Sequence, residues 1–379
     1  MPPLIRWARE PGDLKRAAAE LGATVELALD TEGDSLHHYP ERLALVQIGL
    51  PDGTVWLIDP LALADLTPLS PVFTDAARTL ILHAGDNDLV HLKRRYGLTF
   101  ASMFDTAIAA RFLGGKALGL DVLLQTYLGV ELPPSRQKDD WSARPLDAAQ
   151  LAYAAADVQH LFALRARLVD ELERVARLAW GEEECAALAA QPAPERPVDP
   201  DAWLGVKGAR ELPPQGLAAM RELFALREQL ARAADRPPFK ILGEDTLLRI
   251  AQTLPRDAAT LVTIVGVTPR VQGRWGTAIL AAVERALVLP EPDLPVVPRR
   301  PRPSISGAMS RRIDKLRRWR VTAVERVGLE PGLVLPNRLI TAVAAAAPRT
   351  LEELGAVEGV RRWRVELLGS DMLAALASP

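Results

Sequence analysis

Three short segments place acidic side chains at spacings that chemistry can use. Asp30 and Glu32 close the stretch LALDTEGD. Residues two apart on a strand leave the same face, so these carboxylates stand side by side and repel unless a cation or proton intervenes. In HAGDNDLVHL (83–92), Asp86 and Asp88 fall where a helix is expected to start. In Tyr153-Ala-Ala-Ala-Asp157 a phenol and a carboxylate are four residues apart, one above the other on a helix. Each segment alone also has an ordinary structural reading. Strand-end acids can simply face water, acids in a first helical turn cap it, and a Tyr above an Asp makes a surface hydrogen bond.

The elements that would position these groups can be read from the pattern around them. TVELALD (24–30), LALVQIG (43–49), TVWLID (54–59) and TLILH (79–83) are short and rich in strand formers. The second and third are joined by Leu50-Pro51-Asp52-Gly53, a hairpin signal. From about 86 to 180 the pattern is mostly helical, and residues 148–180 read as its longest helical stretch. This predicts an α/β domain over residues 1–190, ended by the proline-rich QPAPERPVDP. A helical unit over 213–290 follows, then a stiff proline-rich linker (290–304), then a second helical unit over 305–379. The two helical units are copies. TLPRDAATLVTIVGV (253–267) matches AAPRTLEELGAVEGV (346–360) at an offset of 93, with Pro255, Arg256, Leu261, Gly266 and Val267 falling on Pro348, Arg349, Leu354, Gly359 and Val360.

With 379 residues, 49% hydrophobic and 25% charged, the composition is that of a globular protein. No run is long and apolar enough for a membrane span, and the charged start has no signal-peptide centre. One cysteine, Cys185, excludes a disulfide framework and a thiolate zinc cluster, and the cytoplasm is the expected location. The net charge of −2 is a cancellation. Residues 1–200 carry 19 Lys and Arg against 29 Asp and Glu, while residues 201–379 carry 27 against 19. Such asymmetry hints at a polyanionic partner.

Taken together, Asp-x-Glu, His-Ala-x-x-x-Asp and Tyr-x-x-x-Asp in this order resemble the ribonuclease D family, in the tyrosine-bearing branch of the DEDD exonucleases. The stretches MFDTAIAARFLGG (103–115) and DDWSARPLDAAQLAYAAADVQHL (139–161) resemble the same family. The resemblance implies an RNase H-like (DnaQ-like) α/β domain with a mixed sheet. It also implies metal-binding acids at Asp30, Glu32, Asp88 and Asp157, with Tyr153 positioning the attacking water. The family pattern selects Asp88 over Asp86. Two divalent ions about 4 Å apart would place the water and neutralise both reacting oxygens, and an all-oxygen donor set favours Mg²⁺ or Mn²⁺ over zinc. Asp105 reads as a structural or supporting group, Asp34 as an exposed loop acid, His37 and His38 as loop residues, and Cys185 as inert and without a partner. One departure is Pro134, which stands where the family often has a lysine; Arg136 or Lys138 would supply that charge instead.

The repeated units resemble HRDC domains, small all-α bundles, and the second copy is the more diverged. Residues 299–320 hold nine basic side chains against Asp314 alone, which suits sequence-independent contact with phosphates. Trp203, Trp275, Trp319 and Trp363 read mainly as core residues with stacking on bases as the alternative. The implied activity is 3′→5′ exoribonuclease action releasing 5′-mononucleotides. The implied partner is RNA with a free 3′ end, such as tRNA precursors or other structured RNA. The alternatives are a DNA exonuclease of the same fold and a catalytically inactive nucleic-acid-binding protein.

Overall fold

The computed structural model describes residues 3–193, 199–298 and 306–378. Arg299, Arg300 and Arg302 of the basic run, and parts of both proline-rich linkers, lie outside the described residues. The N-terminal elements are β1 (Leu4–Ala8), α1 (Pro11–Gly22), β2 (Glu26–Gly33), β3 (Leu43–Gly49), β4 (Thr54–Ile58), α2 (Ser70–Phe73) and β5 (Thr79–Leu82). They continue with α3 (Asp86–Tyr96), β6 (Met103–Asp105), α4 (Thr106–Phe112), α5 (Leu120–Leu128), α6 (Ala148–Gln159), α7 (Leu161–Arg174) and α8 (Leu178–Ala190).

The strands form one mixed sheet in the order β1-β4-β3-β2-β5-β6. β3 and β4 pair antiparallel, and β1 with β4, β2 with β5 and β5 with β6 pair parallel. The mixed α/β sheet is the expected fold. The hairpin turns as its sequence requires, with Asp52 Oδ1 accepting from Thr54 N–H at 2.9 Å and Gly53 at φ +89. β1 was not among the expected strands. Leu4 and Arg6 stand on the outer side of an edge strand, so its five residues never show a clean apolar alternation. The expected long helix over 148–180 is three helices, interrupted at His160 and again at Ala176, whose φ of +55 no helix continues through.

Every residue of β3 is buried, as a central strand covered on both faces must be. On β2 the alternation splits the core. Leu27 and Leu29 join the apolar layer beneath α1 and α3, while Ala28 joins the layer with Trp141, Val158 and Leu161.

The C-terminal helices are α9 (Pro214–Ala234), α10 (Pro238–Ile241), α11 (Glu244–Thr253), α12 (Ala258–Val262) and α13 (Pro269–Leu287) in the first copy. The second has α14 (Gly307–Val327), α15 (Pro331–Val334), α16 (Asn337–Ala346), α17 (Leu351–Gly355) and α18 (Arg362–Ala377). All five pairs start at the offset of 93 that the sequence shows in one segment. Even the left-handed residues repeat, Leu254 with Ala347 and Gly266 with Gly359.

By packing, the described chain divides into two units, and the grouping is not the linear one that the linkers suggest. The sheet domain and the second copy form one unit. Its shared core runs from Trp141 and Phe112 to Leu316, Trp363 and Leu368. The other unit joins the first copy to residues 33–42. There Asp235 accepts from Tyr39 N–H at 3.2 Å and lies 2.7 Å from Nδ1 of His38, and the Tyr39 hydroxyl donates to Glu228.

Candidate active site

Asp30 and Glu32 leave β2 on the face that carries α6, because they share the parity of Ala28. α6 is held against that face by small residues. Ala154, Ala155 and Ala156 are buried in it, and Gly49 of β3 faces Val158 so closely that a Cβ there would lie 3.2 Å from Val158 Cγ2. This close seat brings Asp157 down onto the β2 acids. Carboxylate oxygens of Asp30, Glu32 and Asp157 lie within 4.8 Å of one another.

Tyr153, one turn before Asp157, is 6% exposed, and its ring packs 6.0 Å from Trp141. Trp141 is itself completely buried and donates from Nε1 to the Arg136 carbonyl at 3.2 Å. Asp88, in the first turn of α3, accepts from the Thr31 hydroxyl of β2. Asp86 is exposed, and no such bond ties it to β2. The four acids and Tyr153 that the motifs single out are thus brought together around the end of one strand.

Their protonation shows the strain of that convergence. Burial pushes Asp30 well above the usual carboxylate range, and the charges of Asp88, Asp157 and Glu32 push it further. Burial, with Asp157 and Asp88 next, raises Glu32 to about 9. Asp157 rises to about 7 for the same first reason, partly offset by the Tyr153 hydroxyl. Burial also raises Asp88, and the Thr31 hydrogen bond works against it. Tyr153 is raised by burial and by the neighbouring carboxylates, so it stays a neutral phenol at physiological pH. Four carboxylates here cannot all ionise on their own, and divalent cations would replace the missing protons. The donor set is all oxygen, which fits hard divalent metal ions.

A cleft of about 830 Å³ opens over Asp30, Glu32, Tyr153 and Asp157 and is lined also by His83, Asp121, Pro134, Ser135 and Gln137. His83 and Gln137 carry no role in the sequence reading; the His-Ala pair preceding Asp88 was the available signal for His83. Pro134 does line the cleft, and Arg136 is engaged with Asp139 at 3.0 Å.

Two sequence expectations are corrected. Asp34 is not an exposed loop acid. It is fully buried and accepts from Arg42 N–H at 2.7 Å and from Arg42 Nε at 2.8 Å, closing its own loop. Cys185 has a partner, because its Sγ accepts from Asp105 N–H at 3.2 Å. Burial pushes its thiol up to about 12, so its inertness stands. Asp105 is structural as expected, capping α4 through Ala107 and Ile108 N–H. Of the four tryptophans, Trp203 and Trp363 are buried, and Trp275 and Trp319 pack against the cores of their copies.

The matches to known proteins fall on successive segments of the chain. A 3′–5′ exonuclease family model matches residues 5–173, and an HRDC domain model matches residues 216–283 and 309–376. Ribonuclease D of Pseudomonas paraeruginosa is 34% identical, over 99% of this chain and 98% of its own length. The chain belongs to the ribonuclease D family. The crystal structure of Escherichia coli RNase D, described as an exoribonuclease involved in structured RNA processing, is 27% identical. It covers 98% of both chains at a TM-score of 0.69. A structure from Bifidobacterium adolescentis superimposes at a TM-score of 0.79 with 24% identity, covering 99% of this chain and all of that one, and so speaks for the fold. Family and fold make this protein a 3′→5′ exoribonuclease acting with divalent metal.

Proposed function

We propose that this exoribonuclease removes nucleotides from the 3′ ends of structured RNA, tRNA precursors among them, by a two-metal mechanism in the cytoplasm. In this reading residues 1–190 form the catalytic domain, and residues 213–290 and 305–379 form the two HRDC modules. The observation that carries it is the meeting of Asp30, Glu32 and Asp157 oxygens within 4.8 Å, with Asp88 near enough to raise the Asp30 pKa. Asp30, Glu32, Asp88 and Asp157 would hold two ions, Mg²⁺ or Mn²⁺. Bound there, they supply charge neutralisation at the attacking and leaving oxygens and a more acidic water.

The chain's own groups do the rest. The Tyr153 phenol, kept neutral by its surroundings, orients the water with its hydroxyl. Trp141 fixes the ring that carries it. The water oxygen loses a proton and bonds to the terminal phosphorus, and the bond to the 3′ oxygen breaks. That oxygen takes up a proton from solvent to become the new 3′-hydroxyl, and a 5′-mononucleotide leaves. Support for structured RNA as substrate comes from the E. coli relative and from the paired HRDC domains. No helix among the described residues is long and apolar enough to cross a membrane.

The test is incubation with matched end-labelled RNA and DNA oligomers, with Mg²⁺, with Mn²⁺ and with a chelator. Stepwise mononucleotide release from RNA alone, stopped by the chelator and by Asp30→Ala or Asp157→Ala, is expected. Undiminished turnover by either variant, or with the metal stripped, overturns the two-metal assignment. Preferred digestion of DNA makes the protein a DNA exonuclease of this fold.

A further inference from the structure

The junction between β6 and α4 reaches across to the segment that delivers Asp88. Asp105 is 1% exposed, and its carboxylate accepts four backbone N–H groups. Two, Ala107 at 2.8 Å and Ile108 at 3.0 Å, belong to its own helix cap and would explain any aspartate at this position. The other two come from 20 residues away. Oδ1 accepts from Ala84 N–H at 3.2 Å, and Oδ2 accepts from Gly85 N–H at 2.9 Å.

Thr106, fully buried, continues the grip. Its hydroxyl donates to the Leu82 carbonyl at 3.1 Å and lies 2.9 Å from Nδ1 of His83. Every residue from Leu82 to Gly85 is therefore tied to Asp105 or Thr106. From the other side, Cys185 Sγ takes the Asp105 N–H and holds the clamp itself in place.

The segment needs this holding. Ala84 sits at φ +52, where an alanine is strained, and a Cβ at Gly85 would run into Leu82. The chain makes this turn in order to leave β5 and start α3 immediately. Gly85 is the N-cap of α3, and Asp88 follows one turn later. Loss of the Asp105 carboxylate would take these acceptors from the Ala84 and Gly85 amides at the helix start.

We propose that Asp105, with Thr106 beside it, is a positioning residue of the metal site, setting the turn that brings Asp88 to Thr31 beside the β2 acids and His83 to the cleft. It rests on the reading of Asp88 as a metal-holding acid. Removing a group hydrogen-bonded directly to a metal ligand costs about 10–100-fold in metal affinity or activity in other sites, and Asp105 acts on Asp88 through the backbone of its turn.

Asp105→Asn is the informative variant. Its remaining oxygen can still cap α4, while its amide group presents a donor to Gly85 N–H. Asp59→Asn is the control, since Asp59 is equally buried but pairs with Arg144 at 2.7 Å. The readouts are the Mn²⁺ dependence of the unfolding temperature of the full chain and the Mn²⁺ dependence of hydrolysis. For Asp105→Asn both midpoints should move to about 10–100-fold higher Mn²⁺, with KM for RNA within about twofold of the parent. For Asp59→Asn they should stay in place. Should Asp105→Asn fail to fold, Thr106→Val gives the same test by removing only the hydroxyl. Unchanged midpoints in the folded variants, or an equal change in Asp59→Asn, overturn the proposal. A parent whose unfolding ignores Mn²⁺ overturns the metal reading instead.

Discussion

The two HRDC copies share one backbone and differ in what their surfaces do. Their helices begin at a constant offset of 93, yet the N-terminus of the last helix is treated in opposite ways. In the first copy α13 caps itself, with Thr268 Oγ1 accepting from Val271 N–H at 3.2 Å and Pro269 needing no partner. In the second copy the equivalent residues are Arg361 and Arg362, and α18 has no cap of its own. Glu183 of α8 accepts from Arg362 N–H at 2.6 Å and Trp363 N–H at 3.0 Å.

Its neighbour Glu184 takes the Trp363 indole N–H at 3.2 Å and pairs with the buried Arg364 at 2.6 Å. The Trp363 ring lies against Phe112 and Trp180 of the sheet domain, 5.3 and 5.4 Å away. At the same position the first copy has the exposed Arg270. A duplicated bundle thus has one member whose last helix caps itself and another whose last helix is capped by the sheet domain. The lesson is that the capping of this helix, more than the repeated core, records which copy packs with the sheet.

The comparison can be broken most severely at Trp363. Trp363→Ala should cost about 3–5 kcal/mol in denaturant unfolding of the unit that contains the sheet, whereas Arg270→Ala should stay within about 0.5 kcal/mol. Similar losses for the two would mean that the copies are anchored alike. Next in size is Glu184→Ala, which leaves the Arg364 guanidinium, 4% exposed, without its carboxylate. A loss of about 1.5–3 kcal/mol is expected by the same measurement, since Arg364 keeps the Leu333 and Val334 carbonyls. Thr268→Ala should cost about 1 kcal/mol, seen in the unfolding of the first copy and not in exonuclease activity.

The smallest effect concerns the basic run on α14. Arg312 and Lys315 donate to carbonyls at the ends of α16 and α18, and Arg320 to the Leu335 carbonyl. Arg311 and Arg318 are exposed. Arg318→Ala should lower the salt dependence of RNA binding by about 0.7 in logarithmic slope, with little change in stability. Arg312→Ala should leave that slope alone, and the opposite result would show that the interior-facing cations are the ones that meet phosphate.

Much of this was legible in the residues. Period-two alternation put Asp30 and Glu32 on one face, the four-residue step put Tyr153 above Asp157, and Pro-Arg and Gly-Val repeats disclosed the duplication. Local pattern failed where packing ruled. The stretch at 148–180 read as helical by its apolar spacing, and that periodicity did not show the breaks at His160 and Ala176. The edge strand β1 carries too few buried positions to stand out. Asp34 looked like a loop acid because its partner, Arg42, is eight residues away across a closed loop.

By itself, the sequence determined which groups are available, since the identity of four acids and a phenol, and the spacings that pair them, are local properties of strand and helix. Only the tertiary structure decided how those pairs meet. α6 descends on β2 because Gly49 and three alanines permit it, and Asp88 arrives because Asp105 and Thr106 hold its turn. It also decided that one of two like-built copies belongs with the catalytic sheet. That choice depends on Glu183 and Glu184 meeting Trp363 some 180 residues later, a proximity that no local spacing encodes.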